Sequence, residues 1–184
     1  NSYLGDQIND FVQQQKGLVL GVCNGFQVLV RTGLLPFGTM GEMQATLTDN
    51  DSGKFECRWI NLKIENSASV FLEGHESISL QVAHGEGKFF AHPDMIKEIE
   101  DKGLVVFRYI DGLGNPTQEY PSNPNGSLNA IAGITDPSGR ILGLMPHPER
   151  FVRKTQHPNW RRIPDLEPQG LQIFQKMVNY VRQM

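Results

Sequence analysis

The chain has 184 residues, a formal net charge of -3 and 39% hydrophobic residues. That is enough for one domain with a substantial core, and it gives no electrostatic reason to expect a nucleic acid or an anionic membrane as partner. No apolar run is long enough for a membrane helix, the first residues lack the pattern of a signal peptide, and two cysteines, Cys23 and Cys57, point to free thiols in a reducing cytoplasm.

Leu4, Ile8, Phe11 and Val12 recur at helical spacing, and Lys16-Gly17 ends that helix. Residues 18–23 read as a buried strand, a helix follows from about Gly25 to Arg31, and Thr32-Gly33 stops it. Residues 37–54 are rich in Gly, Thr, Asp and Asn and read as loop. Trp59 to Glu65 alternates, with Ile60, Leu62 and Ile64 on one face; Ile78, Leu80 and Val82 alternate likewise. Both read as half-buried antiparallel strands. His84-Gly85-Glu86-Gly87-Lys88-Phe89 then divides evenly between a charged surface turn and a functional segment. Pro93 to Asp101 reads as a helix closed by Gly103, and Leu104 to Ile110 as a buried strand. Residues 111–127 form a long Pro- and Gly-rich loop. Leu128 to Ile134 and Arg140 to Met145 flank the hairpin signal Asp136-Pro137-Ser138-Gly139. The last helix, 169–182, turns Leu171, Phe174, Met177, Val178 and Val181 inward.

The chemistry concentrates at Gly21-Val22-Cys23-Asn24-Gly25-Phe26. A strand that ends in Gly-x-Cys-x-Gly and turns at once into a helix is the thiol version of the nucleophile elbow. The sharp turn demands small neighbours, so a Cβ at Gly21 or Gly25 is expected to crowd the backbone. The helix N-terminus is expected to favour thiolate at Cys23. A cysteine nucleophile needs a base, and the base an orienting group. Gly143-Leu144-Met145-Pro146-His147-Pro148-Glu149-Arg150 offers both, because His147 follows an apolar strand and Glu149 can accept from its ring. The Asn24 N–H, next after the sulfur, is placed to donate to an oxyanion. Taken alone, Cys23 could be a small core residue and His-Pro a turn; Asn123-Pro124-Asn125-Gly126-Ser127 alone reads as a structural turn. Cys23, Cys57, His84, His92 and His147 lack the spacing of a metal site.

Cys23 with its flanking residues through Pro36 and the His147 segment resemble the class I glutamine amidotransferases. Gly53-Lys54-Phe55-Glu56-Cys57-Arg58-Trp59, Ala83-His84-Gly85-Glu86-Gly87, Val106-Phe107-Arg108-Tyr109, and Asn123–Ser127 with Ile131-Ala132-Gly133-Ile134 narrow the likeness to the glutaminase subunits of phosphoribosylformylglycinamidine synthases. The resemblance implies an α/β, flavodoxin-like, doubly wound and mainly parallel sheet with added antiparallel strands. It implies a Cys23–His147–Glu149 triad that hydrolyses glutamine. Asn24, Gly25, Gln27, His84, Asn123 and Asn125 would line the substrate site. No cofactor or metal is implied in this chain; ATP and Mg²⁺ belong to a synthetase subunit or domain that takes the ammonia to convert formylglycinamide ribonucleotide to the amidine. The chain is expected to form one amidotransferase domain, 1–184, shortened at its N-terminal side, since the βα units that would make the elbow strand central are not in this sequence. A γ-glutamyl hydrolase-like enzyme on the same scaffold and a non-catalytic module docked on a synthetase are the rival expectations.

Overall fold

The computed structural model describes residues 2–72 and 77–183. Its elements are α1 (Ser2–Gln13), β1 (Val19–Val22), α2 (Asn24–Arg31), α3 (Leu34–Phe37), β2 (Ala45–Asp49), β3 (Glu56–Ile64), β4 (Ser77–His84), β5 (Glu86–Ala91), α4 (Pro93–Asp101), β6 (Val105–Tyr109), β7 (Ile131–Thr135), β8 (Ile141–Leu144) and α5 (Gln169–Gln183). The α/β sheet is mixed, in the order β1-β8-β7-β6-β3-β4, and β2 with β5 makes a separate ribbon. β1 and β8 run parallel, and the other pairings of the main sheet are antiparallel.

The sheet separates two apolar cores. On one side Phe26, Leu29 and Val30 of α2, Ile96 and Ile99 of α4, and Leu47 and Phe89 of the β2–β5 ribbon pack with Ile134 and Ile141. On the other, Leu62, Leu80, Val82, Phe107, Leu142 and Leu144 pack with Phe71, Phe151 and Ile173 of α5. Neighbouring residues of one strand enter opposite cores, as Ile141 and Leu142 do, because strand side chains alternate across a sheet. The strands near the middle are therefore continuously apolar, whereas β4 alternates buried and half-buried positions.

Sequence periodicity misses part of this. The expected loop at 37–54 contains β2, in which Ala45 and Leu47 are buried while Thr46 and Thr48 are not. One small and one large apolar residue among threonines give little signal, and the ladder to β5 completes the strand. β5 itself takes up Glu86–Ala91 beyond the tight turn at Gly85. α5 is rotated from its expected face: Gly170 and Ile173 are buried, while Val178 and Val181 stay 49% and 55% exposed. Gly170 sets that rotation, since a Cβ there would come within 2.0 Å of the Pro148 carbonyl oxygen. At the end of α1 the left-handed residue is Lys16, with φ 54°, and not Gly17. Gly17 instead makes room for Phe11, whose ring would meet a Cβ at 2.1 Å.

Candidate active site

β1 and β8 lie side by side and point the same way, so their C-terminal ends open onto one spot. Cys23 leaves the first and the Met145–His147 segment leaves the second. The Cys23 N–H donates to the Leu144 carbonyl at 2.8 Å, which fixes the turn to the strand that delivers His147. The His147 N–H in turn donates to Gln81 O of β4 at 2.7 Å. The site thus sits outside the carboxyl ends of two parallel strands, where open α/β sheets bind ligands.

Cys23 has φ 52° and ψ -107°, a strained conformation for a residue with a Cβ, and it caps α2. A Cβ on Gly21 would meet Leu29 Cδ1 at 2.5 Å and the Gly25 carbonyl at 2.8 Å, so that glycine is required. At Gly25 the expectation fails: nothing stands within 4 Å of a Cβ there. α2 leaves the turn with that Cα facing open space. The thiolate expectation also fails in its net sign. Burial raises the Cys23 pKa, and this outweighs the lowering by the Asn24 N–H and by Arg150; Glu149 raises it further. That direction favours the thiol, and the sulfur lies 3.8 Å from Ala83 O.

His147 Nδ1 lies 2.6 Å from Glu149 Oε1, and its ring is only 12% exposed. The turn Pro148–Phe151 brings the carboxylate back to the ring, and the Arg150 N–H donates to His147 O at 3.2 Å. Among the described residues, buried side-chain nitrogens or oxygens without a partner are Arg58 Nε, His84 Nε2 and His147 Nε2. Two of the three are imidazole nitrogens, and they belong to rings that interact electrostatically.

Gln27 donates to Glu86 O at 2.9 Å, which ties the first turn of α2 to β5. His84 is buried, with Nδ1 3.1 Å from Asn50 Oδ1. Its ring covers Gly87, where a Cβ would lie 2.5 Å from the imidazole. Burial and the neighbouring His147 push the His84 pKa down to about 4, against smaller opposing effects of a backbone hydrogen bond and of Glu56. Asn123 and Asn125 are buried near the end of the 111–127 loop. Asn123 donates to Thr117 O and Ser127 O and accepts from the Gly126 and Ser127 N–H groups. Asn125 donates to Gly87 O and Tyr109 Oη and accepts from Ser127 N–H. The Asn123 amide ties the loop to itself, and that of Asn125 holds it against β5. Asn50, which orients His84, lay inside the expected loop; its turn signal carried no hint of a partner thirty-four residues on.

Residues 1–181 match the model of the CobB/CobQ-like glutamine amidotransferase domain. The chain belongs to this amidotransferase family. It is 47% identical over 184 residues to the phosphoribosylformylglycinamidine synthase subunit PurQ of Dehalococcoides mccartyi, covering 98% of this chain and 70% of that relative. The subunit PurQ of Methanococcus maripaludis strain C7 is 40% identical over 191 aligned positions, with 96% and 70% covered. The solved structure of PurLQS from Thermotoga maritima aligns with a TM-score of 0.65 and 33% identity, over 91% of this chain and 64% of that one. This amidotransferase chain therefore spans somewhat under two thirds of that solved chain. The glutaminase domain of Trypanosoma brucei CTPS shares the fold at a TM-score of 0.52 and 12% identity.

Proposed function

We infer that this chain carries the glutaminase centre of a phosphoribosylformylglycinamidine synthase. Glutamine binds with its carboxamide over Cys23. His147 Nε2 takes the thiol proton as the sulfur attacks the carboxamide carbon, and the Asn24 N–H donates to the oxyanion. Glu149 holds the imidazolium through Nδ1. As the C–N bond breaks, His147 returns the proton to nitrogen and ammonia leaves. Water then attacks the γ-glutamyl thioester, which releases glutamate and restores the thiol. Ammonia passes to the synthetase partner, whose ATP and Mg²⁺ drive conversion of formylglycinamide ribonucleotide to the amidine. The compartment on this reading is the cytoplasm, where Cys23 and Cys57 stay free thiols.

The observation that carries this reading is the placement, at the ends of the parallel strands β1 and β8, of a strained Cys23 and of a His147 whose Nδ1 is held by Glu149 and whose Nε2 has no partner among the described residues. The raised Cys23 pKa fits it, because a resting thiol needs a base at the moment of attack. The test measures glutamate release from glutamine and from γ-glutamyl peptides by the full-length protein with its synthetase. Cys23→Ala should abolish ammonia release while leaving ammonia-dependent synthesis intact. Glutamine-dependent activity that survives the change would remove Cys23 as nucleophile, and a preference for the peptides would favour the hydrolase instead.

A further inference from the structure

His84 stands one residue beyond Ala83, whose carbonyl touches the Cys23 sulfur, and its ring interacts electrostatically with that of His147. Its tautomer follows from Asn50. That amide donates from Nδ2 to Lys54 O and to His84 O, both at 2.8 Å, so its oxygen must face the ring. An amide oxygen only accepts, hence His84 Nδ1 carries the hydrogen and Nε2 is a bare lone pair. The residue is 3% exposed, and among the described residues Nε2 has no partner. A buried acceptor left empty costs free energy unless a ligand fills it.

Resting on the glutaminase reading above, we propose that His84 is a further catalytic residue: its Nε2 accepts an N–H of the glutamine carboxamide and keeps that hydrogen bond to the ammonia as it forms. Attack by Cys23 turns the amide nitrogen pyramidal. That nitrogen keeps two hydrogens of its own and takes a third from His147 Nε2 as the C–N bond breaks. Two imidazoles then divide the work: His147 gives a proton and the buried His84 only accepts a hydrogen bond. No proton moves to His84, so the nitrogen departs as NH₃ and not as an ammonium ion. The depressed basicity of His84 serves the same end, since a ring with a pKa of about 4 cannot hold a proton against ammonia. Ring packing on Gly87 and the bond to Asn50 hold the ring in one orientation while substrate comes and goes.

The experiment compares kcat/KM for glutamine with that for glutamate γ-methyl ester, in the full-length protein with its synthetase. Both substrates give the same thioester, but the ester oxygen carries no hydrogen for His84 to receive. His84→Phe should lower the glutamine value about 10–100-fold and the ester value far less, so the ester-to-amide ratio rises at least about tenfold. His84→Gln, whose side-chain oxygen can reach the position of Nε2, should bring the ratio back toward wild type. Equal losses on both substrates, or no loss on glutamine in a folded His84→Phe protein, would overturn the assignment. If the wild-type protein acts on neither substrate, it is the glutaminase reading that falls.

Discussion

At His84 burial and the charge of His147 act in the same direction, and acid is where that shows. Its pKa falls from the ordinary 6.5 to about 4 in the folded chain. The folded protein therefore binds this proton less readily than the unfolded chain, and stability is complete above about pH 6.5 and lost as pH drops through about 4. The full effect is on the order of 3 kcal/mol. Urea midpoints followed across that range should drop more steeply for wild type than for His84→Phe, which has no proton to gain; parallel curves would show that another group governs the acid limb. Glu149 makes a different prediction. Glu149→Gln keeps an acceptor beside His147 Nδ1 but removes the charge that, in the proposed mechanism, stabilises the imidazolium. Steady-state kinetics should give a kcat lower by about a hundredfold with KM little changed. Because the carboxylate is half exposed, thermal stability should hardly move.

At the scale of elements, the elbow separates its two glycines. Gly21→Ala forces a methyl into Leu29 and the Gly25 carbonyl and should cost about 1–3 kcal/mol. Gly25 lies within α2 and has room around it, so Gly25→Ala should add about 0.5–1 kcal/mol to stability. Its methyl nonetheless enters the open space one residue from Asn24 and two from Cys23, and glutaminase activity should fall. Melting curves and activity moving in opposite directions would establish that this glycine serves the substrate and not the fold; activity retained in full would return it to a neutral position. The sequence shows why the strands that alternate or run apolar, β3, β4, β6, β7 and β8, could be read directly, and why the elbow could too: local pattern alone defines them. β2 could not, since its threonines look like loop until β5 is beside it. The face of α5 could not, because one glycine contact with a distant turn sets the rotation. Of the candidate site, Cys23, His147 and Glu149 could be proposed from local pattern, while the state of Cys23 and the tautomer of His84 depend on burial and on Asn50, which only the folded chain brings near.

For the whole molecule, the two borders of the sheet differ. β4 is bridged at Gln81 by His147, and its Ser79 N–H donates to Gln169 Oε1 at 2.8 Å, so α5 and the His147 segment cover that border. Among the described residues β1 has a strand, β8, on one side only. In a parallel pair the N–H groups of alternate residues turn to the same neighbour. Val19 and Cys23 donate to Arg140 O and Leu144 O of the β8 side, hence Leu20 and Val22 point their N–H groups the other way. Apolar side chains flank this border: Phe11 of α1 with Leu18, and Met177, Val178 and Val181 of α5, line one surface cleft. An apolar border strand with free donors is a template for another strand. Amide hydrogen exchange on the 184-residue chain should therefore divide β1 by parity. Leu142, Gly143 and Leu144 in β8 should exchange slowest, Gly21 and Cys23 should be protected with them, and Leu20 and Val22 should exchange faster. The same two amides then serve as reporters in any longer form of the protein or in its complex with the proposed synthetase partner, where slowed exchange at Leu20 and Val22 would mark a strand added beside the Cys23 turn. Uniform protection along β1 in the 184-residue chain itself would mean that this border is already covered, and the asymmetry of the sheet argued from its pairing would be wrong.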